Sequence, residues 1–189
     1  GPRALPPAVL PLNGDGAAPR PTVATAHFVA VFWGLYPAPG KDGFVGFHRR
    51  GEDDGPPLTA RGCRLALAGA TAGFALALAA VTLLAGPVAG LLTLPRWVIG
   101  ALHAPQLDTN PITATAGYPA GVSLALVGGH YVQAGAFAPG VVVLAVVFLV
   151  ALCGVKVIDD ATDVAYDRSI DKRTVAAAPG PPPARGGPP

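Results

Sequence analysis

Asp159, Asp160, Asp163, Asp167 and Asp171 fall within VIDDATDVAYDRSIDKRTV, residues 157–175, and make up five of the eleven acidic residues of the chain. Four of them recur at every fourth position, so a helix here would line 159, 163, 167 and 171 along one face with Asp160 beside them. Like charges at that spacing cost a helix roughly 0.2–0.5 kcal/mol per pair, and the local relief at favourable spacing is Arg168 with Asp171. A hard divalent cation would neutralise the stripe, because Mg²⁺ takes carboxylate oxygens and shares its other positions with water and phosphate oxygens. Asp159, Asp160, Asp163 and Asp167 are thus candidate metal ligands, with Asp163 and Asp167 at the centre of any chemistry. Lys172 and Arg173 stand just beyond, placed to take phosphate charge. The alternative reading of the same residues is a solvated, mixed-charge helix end at a membrane surface.

The elements that must position these residues are apolar. Charged residues are 13% of the chain and hydrophobic ones 51%, with a mean hydropathy of +0.49; soluble domains carry about a quarter charged residues. Leu65 to Pro95 and Thr109 to Val155 contain no Asp, Glu, Lys or Arg. A bilayer core about 30 Å thick needs roughly 20 apolar residues per helix, so the second run holds two spans and the first at least one. The expectation is an all-α, multi-pass transmembrane helical bundle of about four to five spans. Thr22–Tyr36 is a short or tilted span, Leu65–Leu84 a clean one, Val88–Leu102 a shorter return, Ile112–Val132 an irregular span and Gly140–Val155 the last. Arg96, inside the return span, must snorkel or face a polar interior.

Around these lie segments read as connections. Residues 1–21 are dense in Pro and Gly and are expected to be disordered, residues 22–176 form the membrane domain, and 177–189 are a low-complexity tail. Residues 38–64 are the first charged loop, and 103–111, HAPQLDTNP, a polar turn. The basic segments 41–64 and 156–173 fall on one side of a four-span arrangement, so the positive-inside rule puts the acidic segment in the cytoplasm of a cell-membrane protein. His27 has no partner ligand at helical spacing and reads as a packing residue. Cys63 and Cys153 suggest neither zinc nor a disulfide framework. Net charge +2 without a basic, aromatic-interleaved patch argues against nucleic acid. The chain has no methionine and reads as a fragment or processed form.

The segment HYVQAGAF, the apolar span after it, and then DDATDVAYDRSIDKRTVA resemble the second aspartate motif of the UbiA superfamily of intramembrane prenyltransferases, in particular its dihydroxynaphthoate members. The matching positions are Asp159-Asp160, Asp163 and Asp167 followed by Arg168, and Lys172-Arg173-Thr174. The resemblance spans about residues 110–176 and, more loosely, 56–110, where PPLTARGCRLALAGA looks like the segment after the family's first motif. The first motif, Asn-Asp-x-x-Asp-x-x-x-Asp, is not found near 41–54; only Asp42, Glu52, Asp53 and Asp54 stand there, at other spacing. The family's later spans, expected after residue 180, are missing.

The resemblance implies a partial UbiA-like fold: a helical bundle with a central cavity. Mg²⁺ there grips an isoprenyl diphosphate, Arg168, Lys172 and Arg173 assist the diphosphate, and the prenyl group passes to an aromatic or lipid acceptor. Partners would be isoprenyl diphosphate, a hydrophobic acceptor and the lipid bilayer. A truncated, catalytically inactive remnant of that family is the rival reading, so whether the chain is an enzyme stays open. An ion-handling membrane protein ranks below both, since no acid lies within a span.

Overall fold

The computed structural model describes residues 20–51, 58–169 and 172–177. All secondary structure among them is helical: α1 Pro21–Leu35, α2 Pro37–Val45, α3 Ala60–Ala85, α4 Pro87–Leu102, α5 Pro111–Ala134, α6 Pro139–Thr162 and the short α7 Val164–Ser169. A single wide turn, Gly46–Arg50, extends α2, whereas the chain leaves the helical path after α4 at Ala104, whose φ of −122° and ψ of 135° are not helical.

Proline sets most of the starts. Pro21, Pro37, Pro87, Pro111 and Pro139 each open a helix, where the missing N–H is an orphan in any case and the fixed φ already suits the helix. Asn110 caps α5, its side chain accepting from the Ile112 and Thr113 backbone N–H groups at 3.0 and 3.3 Å, and Thr59 caps α3 by accepting from Gly62 at 3.1 Å. Gly135, at φ 70, ends α5 in the left-handed conformation that glycine adopts without strain.

α1 packs on α3, α3 on α4, α4 on α5 and α5 on α6. Val23, Ala30, Phe74, Ala77, Val81, Ala89 and Val132 form a buried core among α1, α3, α4 and α5. Small residues set how closely these helices approach. A Cβ on Gly73 would sit 2.8 Å from the Trp33 ring, and one on Gly100 would meet Gly34 O and Ala38 N, both at 3.3 Å. α6 leans on α5 and α7 and leaves a broad apolar surface uncovered, including Val143, Val147 and Val150. α3 and α6 are long and apolar enough to cross a membrane, and 22% and 6% of their most apolar stretches are buried. Each of the five expected spans overlaps a helix, α1, α3, α4, α5 or α6, with α3 starting five residues earlier and α6 running seven residues further than expected. Among the described residues only α3 and α6 reach the length and apolarity of a membrane span.

Three boundaries differ from expectation. The loop at 38–64 is helical through Arg50, because Lys41 Nζ donates to the Ala101 carbonyl at 2.8 Å and Gly40 fits against Leu67, so tertiary contacts override the local Gly and Pro signals. Arg20 and Pro21 belong to the ordered domain: Arg20 Nη2 donates to Leu84 O at 2.9 Å, and its backbone N–H to Gln133 Oε1 at 3.0 Å. Ala177, expected in the tail, joins residues 172–176 of that domain, its N–H donating to Thr174 Oγ1 at 3.1 Å. The assignments for 1–19 and 178–189, and for Glu52, Asp53, Asp54 and Asp171, lie outside the described residues.

Candidate functional site

The acidic segment does not form one continuous helical face. α6 ends at Asp163, whose φ of −112° and ψ of 14° are not helical, and α7 begins afresh at Val164. The break has a local cause. Thr162 Oγ1 donates back to the Asp159 carbonyl at 2.7 Å and Asp163 N–H reaches Asp160 O at 3.3 Å, a tightened last turn that ends the ladder. It also separates like charges that a straight helix would have stacked.

Each carboxylate then finds a different setting. Asp160 is buried and ion-paired with Lys156, while its Oδ2 has no hydrogen-bond partner. Asp159 is 68% exposed, with Lys156 Nζ at 3.3 Å. Asp163 is exposed at the break. Asp167 is buried, held by Lys172 Nζ at 3.3 Å and by the Thr174 hydroxyl at 3.5 Å. Lys172, expected to take phosphate charge, is ion-paired with Asp167 here. Arg168 Nε donates to the Ala177 carbonyl at 3.2 Å, folding the segment back on itself. Arg173 meets the buried Asp108 through its backbone, and Asp108 Oδ2 accepts from Arg50 Nη2 at 3.0 Å. This ties the first charged segment, the 103–110 turn and the acidic segment together.

Above this charged end lies a cavity of about 830 Å³. Its wall is largely aliphatic, and Asp159 and Lys156 from α6, Asp42 from α2, His103, Tyr118 and Arg96 also border it. Of the expected metal ligands, Asp159 is the one that reaches this space. Compared with models of protein families, with characterised proteins and with solved structures, the chain matches none.

No group of three or more His, Cys, Asp or Glu side chains converges as a metal site among the described residues. The cavity wall nevertheless carries two carboxylates, Asp42 and Asp159, which is the donor set Mg²⁺ takes when phosphate oxygens and water complete its shell.

Sequence reasoning missed Lys156, although its i,i+3 and i,i+4 spacing to Asp159 and Asp160 was legible. Both acids lie in the last turn of α6, where the helix dipole disfavours negative charge, and Lys156 offsets it. For Arg96 the alternatives were snorkelling or an interior setting. It is interior, 5% exposed on the cavity side of α4.

Proposed function

We propose that the chain is a multi-pass membrane protein of UbiA type, with α1, α3, α4, α5 and α6 as its spans, that transfers an isoprenyl group from a prenyl diphosphate to a hydrophobic acceptor. The observation that carries this reading is the apolar cavity whose charged rim, Lys156 and Asp159, is the first part of the acidic segment. An isoprenyl chain needs a dry, aliphatic space, and its diphosphate needs cations at one end of it.

In this reading Asp159 and Asp42 would hold Mg²⁺, with Asp163 at the open break between α6 and α7 within the same segment. When bound, the ion would neutralise the diphosphate as it departs. Lys156 adds positive charge at the rim, and Arg168, Lys172 and Arg173 supply it beyond. The carbon–oxygen bond of the prenyl ester breaks with its electron pair leaving on the diphosphate. The aliphatic walls keep water from the allylic cation until an electron-rich acceptor bonds to it and releases a proton. The acidic segment faces the cytoplasm.

One observation favours the inactive alternative: Asp160 and Asp167 are already neutralised by Lys156 and Lys172, so part of the segment is structurally satisfied without a metal. Mg²⁺-dependent release of diphosphate from geranylgeranyl diphosphate in nanodiscs, with a phenolic acceptor supplied, separates the two. Release above the rate without protein supports the transferase; none, with the ligand bound, supports the remnant.

A further inference from the structure

Arg96 sits in the middle of α4, and its Nε, Nη1 and Nη2 are buried with no hydrogen-bond partner among the described residues. A guanidinium keeps its charge and carries five N–H donors in a planar fork, so leaving it buried and unpaired is costly. It borders the main cavity and also a second one of about 310 Å³, whose wall includes His27. Thr93 donates its hydroxyl to the Ala89 carbonyl at 2.8 Å and stands 3.3 Å from His27 Nδ1, so His27 is occupied by its own neighbour. Asp42 and Asp159, the carboxylates on the main cavity wall, form no ion pair with Arg96, and Asp159 is taken by Lys156.

We infer that Arg96 is the anchor of a binding site for a long-chain aliphatic carboxylic acid, whose carboxylate pairs with the guanidinium while its tail lies in the main cavity. The planar fork matches a carboxylate bidentately. One unpaired positive charge calls for one negative charge. Without Mg²⁺, a phosphate monoester would bring more, into a space already bordered by Asp42 and Asp159. Val31, Leu35, Ile99, Val122 and Leu152 give the wall its aliphatic character, and a volume of about 830 Å³ suits a single-tailed lipid. The inference does not depend on diphosphate chemistry at the rim.

The test uses the full chain in detergent, with palmitate carrying ¹³C at the carboxyl, hexadecanol as the neutral analogue and hexadecyl phosphate as the alternative anion. Wild type is expected to bind palmitate saturably without Mg²⁺, and Arg96→Gln to weaken it at least tenfold, with Arg96→Lys between them. Wild type should still bind palmitate in EDTA, which separates this site from the proposed metal site. The carboxyl resonance of bound palmitate should stay that of the ionised form at pH values where micellar palmitate is protonated. Equal palmitate affinity in wild type and a folded Arg96→Gln protein would overturn the inference, leaving Arg96 solvated by cavity water. If the Gln variant fails to fold, wild type decides: hexadecanol or hexadecyl phosphate binding as tightly as palmitate would equally overturn it.

Discussion

At the scale of single residues, the acidic segment is a set of carboxylates with separate tasks. Asp160 is buried against Lys156, so Lys156→Ala leaves an uncompensated interior charge, and breaking such a pair costs about 3 kcal/mol or more. A denaturant melt in mild detergent should show that loss, whereas the exposed Asp163→Asn should shift stability by no more than about 0.5 kcal/mol. Equal destabilisation by both would mean that the break at Asp163 is as tightly packed as the pair. The four-residue spacing made the acids easy to find in the sequence. Their fates were not legible, because Lys172 and Thr174 reach Asp167 only once the chain has turned back, and the direction of Arg96 depends on which neighbours α4 meets.

At the scale of elements, helix boundaries were the most legible feature. Prolines at first-turn positions and glycines at Gly86 and Gly135 mark them with local chemistry that needs no tertiary information. α2 was illegible for the complementary reason: its Pro and Gly signals oppose a helix, and contacts with α3 and α4 win. The interface of α1 and α3 rests on Gly73, which gives the Trp33 ring its place. Gly73→Ala should destabilise the bundle by about 1–3 kcal/mol through overpacking. With Trp97 replaced by Phe, Trp33 fluorescence would report it as a displaced emission maximum, and an unchanged spectrum with unchanged stability would contradict this packing.

At the scale of the whole molecule, α3 and α6 are apolar enough to cross a bilayer, and the largely uncovered surface of α6 suits a lipid solvent. The proposed topology puts Gly135, in the turn between α5 and α6, on the side of the membrane opposite Ser169. With Cys63 and Cys153 replaced, single cysteines at 135 and 169 should react with an impermeant maleimide from opposite faces of sealed vesicles. Reaction of both from one face would contradict a spanning α6. The central claim is that the cavity with Asp159 at its rim holds a prenyl diphosphate through Mg²⁺. Its most direct test is an equilibrium binding isotherm of geranylgeranyl diphosphate on the nanodisc-embedded chain, with and without Mg²⁺, for wild type and Asp159→Asn. Saturable binding that requires Mg²⁺ and falls at least tenfold in Asp159→Asn is the predicted result, and binding indifferent to both the ion and the substitution would contradict it.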